Sequence, residues 1–152
     1  MALVIGENSY LTLEEAQDIA ETELYPDSPE FELWGSLDDK GKELICKKGT
    51  MAINSLEFIG TRQVWKYKLK FPRIINGVEV LPREVKIAAL INGLIDKLIS
   101  SSEQYRLARN GVKSITVGPD SVNLDIERLK GIKVYDEALI YIKSYIRTSV
   151  GI

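Results

Sequence analysis

Between Gly60 and Arg73 the chain reads GTRQVWKYKLKFPR, with Trp65, Tyr67, Leu69 and Phe71 alternating with Lys66, Lys68 and Lys70. No acid occurs between Phe58 and Val78, whereas Arg62, Lys66, Lys68, Lys70 and Arg73 all do. Aromatic faces interleaved with cations are what single-stranded nucleic acid needs, because bases stack on the rings and phosphates pair with the lysines and arginines. Arg62, Trp65, Lys66, Lys68, Lys70 and Arg73 are therefore the candidate nucleic-acid contacts. The competing reading is an extended crossing with its aromatics packed inward and its lysines in water. On that reading Trp65 and Phe71 belong to the core, and truncating either to alanine costs about 3–5 kcal/mol.

Catalytic chemistry finds little support. The chain has no histidine, so it offers no imidazole base, no Ser-His pairing and no imidazole metal ligand. A lone cysteine, Cys46, excludes thiolate clusters and internal disulfides, and fits a structural thiol in a cytosolic protein. Neither G-x-x-x-x-G-K-[ST] nor G-x-G-x-x-G occurs. Glu14-Glu15 and Asp38-Asp39 are adjacent carboxylates, but neighbours on a helix diverge by about 100°. An enzyme is not expected, and no catalytic, cofactor-binding or metal-binding residue is assigned.

The elements that position these residues are mostly helical. In Pro82–Ser100, Ile87, Leu90, Ile91, Leu94, Ile95, Leu98 and Ile99 form one stripe at helical spacing, widened by Val85, Ala88 and Ala89. A helix apolar on more than half its circumference must be covered by others, and Gly93 inside it marks a close backbone approach. Thr12 with Glu15 spells a capping box for a helix over about 13–24, with Leu13, Ala16, Ala20 and Leu24 inward. Ser28-Pro29 starts a short helix containing Phe31 and Trp34 as core plugs. Ser36 or Asp38 starts another, ending near Phe58, with Leu44, Ile45, Met51, Ala52 and Leu56 as its apolar face. Asn76-Gly77 is a turn before Val78-Glu79-Val80. Over about 112–126, Ile115 and Val117 share a face, Gly118-Pro119 opens a turn, and Val122 and Leu124 share a face. Such a hairpin or long loop is marginal alone, so Ile115, Val117, Gly118, Pro119, Val122 and Leu124 are candidate inter-subunit or partner contacts. A last helix spans about 136–149, with Leu139, Ile142, Tyr145 and Ile146 on one face. The expected fold is mainly α: a small bundle around a central apolar helix, with an extended aromatic and basic segment and a protruding hairpin or loop.

At 152 residues the chain is read as one domain with a sizeable core. No run reaches the ~20 apolar residues of a membrane span, and the start lacks a basic leader, so no membrane association is expected. The net charge of −2 conceals an asymmetry. Residues 1–39 hold eleven acids and no base, and from Lys40 onward twenty bases meet the other eleven acids, a net +9. That is either a solvated acidic helical part beside a basic body, or a polar molecule whose acidic part meets the basic part of the next copy.

In their order these signals resemble a family of tailed-phage head–tail connectors (head-completion adaptors). Some members of that family carry a name denoting a DnaT-like single-stranded-DNA-binding protein. The matching pieces are Asn8-Ser9-Tyr10 running into LTLEEAQDIA, the Trp34 segment before a lysine-rich helix, and Phe58-Ile59-Gly60-Thr61-Arg62. Further pieces are Leu69-Lys70-Phe71-Pro72-Arg73, then Gly77-Val78 through Leu81-Pro82 into Val85-Lys86, and Val112-Lys113-Ser114 before Val117-Gly118-Pro119. The resemblance covers about the first four-fifths of the chain and implies a mostly helical protomer with a protruding loop. It implies a homo-oligomeric ring, commonly of twelve copies, between the portal protein and a tail-completion or tail-terminator protein. The ring lies in the virion neck, is assembled in the host bacterial cytoplasm, lets double-stranded DNA pass transiently, and needs no cofactor. The alternative is a single-stranded-DNA-binding replication accessory protein using the 62–73 segment.

Overall fold

The computed structural model describes residues 2–101 and 133–147, together with the strand backbone at 114–117 and 120–123. The protein is mostly helical, with a small antiparallel sheet beside the bundle. Three helices come first: α1 (Leu13–Glu23), α2 (Pro29–Ser36) and α3 (Asp39–Asn54). Each begins where a side-chain oxygen can accept an otherwise unpaired N–H. Thr12 accepts from the Glu15 N–H at 3.1 Å while its own N–H donates to the Glu15 carboxylate at 2.9 Å, completing the expected capping box. Ser28 accepts from Phe31 at 3.2 Å, with Pro29 at the first helical position, and Asp38 accepts from Gly41 at 2.8 Å.

The central helix, α4 (Arg83–Ser100), is buried without interruption from Ile87 to Ile95, as its stripe predicts. Pro82 stands just before it as the N-cap, not inside its first turn. The packing of α3 on α4 has the close backbone approach expected at Gly93 and buries Ile45 and Ala52 as expected, but the rest of the inward face of α3 differs. A Cβ on Gly49 would overlap the Ala89 carbonyl, and one on Gly93 would lie 2.5 Å from the Ile45 carbonyl oxygen. The two backbones therefore touch, and only glycine fits at each crossing point. That contact turns Ile45, Cys46, Gly49, Thr50, Ala52 and Ile53 inward. Leu44 and Met51, expected inside, are 51% and 50% exposed. Leu44 and Met51 are turned out because the face of α3 that carries Gly49 is the one that can approach the α4 backbone closely. The helix also ends at Asn54, short of Phe58.

After α3 come β1 (Thr61–Arg62), β2 (Arg73–Ile75) and β3 (Val78–Val80), antiparallel in that order. Arg62 is opposite Arg73, and Ile75 is opposite Val78. Asn76 and Gly77 both have positive φ, 52° and 79°, which makes the two-residue hairpin turn their dipeptide predicts. Beyond α4, β4 (Ser114–Val117) pairs with β5 (Asp120–Asn123). The final helix α5 (Asp136–Ile142) starts after Tyr135, not Asp136, and runs into a 3-10 turn at Lys143–Tyr145. It buries Ala138 and Ile142. Ile146 then bridges to Phe58, closing the C-terminal segment onto the stretch that follows α3.

Asn92 is the one buried polar residue of α4. Its amide donates to the Lys133 carbonyl at 2.9 Å and accepts from the Tyr135 N–H at 2.7 Å, so it fixes the chain where it re-enters the bundle. Among the described residues, no helix is long and apolar enough to cross a membrane.

Candidate functional site

The 58–80 region holds the candidate nucleic-acid contacts, and it is not an extended crossing. Between β1 and β2 the chain turns, with the N–H groups of Lys66 and Tyr67 both donating to the Gln63 carbonyl at 3.0 Å. Period two fails because a tight turn sits where the alternation predicted a strand. Val64 and Trp65 form the apex, 65% and 78% exposed. Tyr67 is half-buried against Gly6, whose positive φ and missing Cβ make room for the ring. Leu69 and Phe71 are buried, and Phe71 stacks edge-on against Phe58 (4.7 Å between centroids) and Tyr10 (5.9 Å). Phe71 is therefore core as the inward reading holds, and Trp65 is not.

The cations of the segment are largely engaged within the chain. Lys66 pairs with Glu79 at 2.9 Å, Lys68 with Glu7 at 2.7 Å, and Lys70 with Glu57 at 3.3 Å. Lys70 also donates to the Leu56 carbonyl at 2.7 Å, and Arg62 donates to the Lys68 carbonyl at 2.6 Å. Arg73 is buried, donating at 3.3 Å to the carbonyls of Phe58, Gly60 and Lys70, with the rings of Phe58 and Phe71 beside its guanidinium. Burial, and then the nearby Arg147, pull its pKa down. It serves as a multi-pronged donor to irregular backbone whose carbonyls have no ladder to join.

Two residues that the sequence did not single out organise this region. Glu79 accepts from the Gln63 amide (3.0 Å), Lys66 and the Tyr67 hydroxyl (3.2 Å), and these donors, Gln63 first, hold its carboxyl below the usual range. In turn Glu79, through its hydrogen bond, raises the Lys66 pKa, as Glu7 raises that of Lys68. The available signal was position: Glu79 is the first acid after the acid-free run. The second is Asn54, whose side-chain oxygen accepts from the Tyr10 hydroxyl at 2.6 Å and the Lys70 N–H at 2.8 Å. It ties the N-terminal arm and the basic segment to the end of α3.

Of the hairpin candidates, the backbone register sets Ile115 opposite Val122 and Val117 opposite Asp120. Among the described residues these two strands pair only with each other. Gly118, Pro119 and Leu124 lie outside the described residues. Cys46 is buried, and burial first, then Glu43, pushes its thiol up to about 12, which suits an inert core thiol. Among the described residues, no group of three or more acids, cysteines or histidines could hold a metal ion.

The acidic first part meets the basic remainder within one chain. Lys86 pairs with Glu15, Arg83 lies 3.1 Å from Asp18 and 4.0 Å from Glu23, and Lys68 pairs with Glu7. The charge asymmetry thus stitches α1 and the N-terminal arm to the body of the fold. The chain matches no family model, no curated protein and no solved structure.

Proposed function

We propose that the chain is a structural head–tail connector of a tailed phage or a particle derived from one. It forms a ring between portal and tail, meets the portal protein on one side and a tail-completion or terminator protein on the other, and encircles the DNA during its passage. All 152 residues act as one connector domain, located in the virion neck after assembly in the bacterial cytoplasm. The ordered motifs from Asn8 to Pro119 motivate the reading. The observation that carries it is the use made of the 62–73 segment. Arg62, Lys70 and Arg73 hold the chain's own irregular backbone, Lys66 and Lys68 pair with its own acids at the surface, and Phe71 is core, which argues for an architectural part over a strand-binding platform. The β4–β5 ribbon, whose strands pair only with each other among the described residues, is the part proposed to meet the neighbours.

One observation favours the second reading, a single-stranded-DNA-binding accessory: Trp65 is exposed beside Lys66 on an ordered turn. A single ring offers one stacking face, where a platform needs several in succession. The deciding experiment removes the gene from a particle-producing genome. The connector reading expects DNA-filled heads without tails, restored by the gene in trans. Normal tailed particles would overturn it, and a loss of DNA synthesis before any particle forms would install the accessory reading.

A further inference from the structure

We propose that a second copy of this chain docks head to tail, its acidic turn at Tyr25 seated on the outward stripe of α3. The inference rests on the connector reading and gives its ring a specific contact. On α3, Lys40, Leu44, Lys48 and Met51 follow one another at i, i+4, i+8 and i+11, which is a single face of a helix. All four are exposed, the two apolar ones by half. Asp39 and Glu43 lie about 100° round the helix, leaving the stripe itself apolar and cationic.

The complementary surface is the link between α1 and α2. Tyr25 is 79% exposed, and Asp27, Glu30 and Glu32 follow it without an ion pair among the described residues. Arg83 and Lys86, the cations that reach α1 in the same chain, are already taken by Asp18, Glu23 and Glu15. Lys42 sits over the Trp34 ring at 5.0 Å. An aromatic knob within uncompensated acids thus matches an apolar strip framed by lysines in both shape class and charge. The two patches are different surfaces, so their contact is heterologous. Repeated from copy to copy it closes a ring or runs on as a filament.

Sedimentation of the full chain across concentration and salt tests this, using wild type, Tyr25→Ala and Met51→Glu. The wild type should self-associate, more weakly as salt rises from about 50 mM to about 500 mM. Each variant should weaken association by about tenfold or more, with melting temperatures unchanged because both positions are exposed. An equimolar mixture of the two variants keeps one intact turn and one intact stripe, so it should form a one-to-one pair and stop there. A wild type monomeric throughout, variants that associate like wild type, or a mixture that fails to pair each overturn the proposal. So does a Met51→Glu protein that melts lower at unchanged mass, because the stripe is then covered by residues 102–132 of its own chain. Tail joining separates this inference from the function. If both variants join tails and only loss of the gene does not, the contact is wrong and the connector stands; if loss of the gene is harmless, the connector falls whatever the sedimentation shows.

Discussion

The α3–α4 seam and the base of the 58–80 region both reach the core of one fold, and they are held by opposite means. In the seam, Gly49 and Gly93 let two helix backbones touch, and the backbone polar groups there belong to regular helix. In the 58–80 region the backbone turns irregularly, so side chains must answer its polar groups, Arg73 and Lys70 the carbonyls and Asn54 the amide of Lys70, while Glu79 ties together the side chains of Gln63, Lys66 and Tyr67 on the turn. The first region depends on the absence of side chains and the second on their chemistry. Charge on a segment therefore says little about partners until its own backbone has been satisfied.

The largest effect should come from the aromatic cluster at the base of the irregular region. Phe71→Ala removes the ring between Tyr10 and Phe58, and denaturant unfolding should show a loss of about 3–5 kcal/mol. A loss below 1 kcal/mol would mean the cluster is not a core. The seam should respond to addition, not removal. Gly49→Ala gains about 1 kcal/mol in helix propensity, yet its methyl meets the Ala89 carbonyl, and overpacking of about 1–3 kcal/mol or more should make the variant less stable. A stabilised Gly49→Ala protein would show that the helices separate easily.

Acid should divide the regions next. Glu79 has its pKa lowered from 4.5, so its contribution is complete above pH 4.5 and fades as pH falls through its lower folded value. Among the residues that the glycine seam turns inward, only Cys46 titrates, and burial pushes its thiol up to about 12, far from acid. Trp65 fluorescence should therefore change at a higher pH than far-ultraviolet circular dichroism, and coincident transitions would break the distinction. The smallest effect is expected at the apex of the turn. Trp65→Ala should alter stability by no more than about 0.5 kcal/mol, as exposed substitutions do. Its oligonucleotide binding should match wild type, and lost affinity at unchanged melting would favour the accessory reading.

The helices were readable because their signals are local. Thr12 with Glu15, Ser28 with Pro29, and the long stripe of α4 each act within a few turns of chain. The orientation of α3 was not, because Gly49 is only a weak helix former until Ala89 is known to lie against it. The candidate site misled for a related reason. Alternating Trp65, Tyr67, Leu69 and Phe71 satisfies a strand pattern, but register is set by partners, and β1 ends at Arg62 before the alternation starts. Tyr10, fully buried and bonded to Asn54, gave no sign beyond its place near an apolar arm.

Asn92 has a consequence for how this protein can change over generations. The chain leaves α4 at Ser101 and is caught again at Lys133 and Tyr135 by the same helix, nine residues or fewer from its exit. Because Asn92 itself holds Lys133 and Tyr135, the return of the chain onto α4 is fixed by the helix it left, and closing a connection of twice the length would cost only about 0.6 kcal/mol in entropy. Changes in length between Ser101 and Lys133 should therefore accumulate over generations more readily than any change at Asn92.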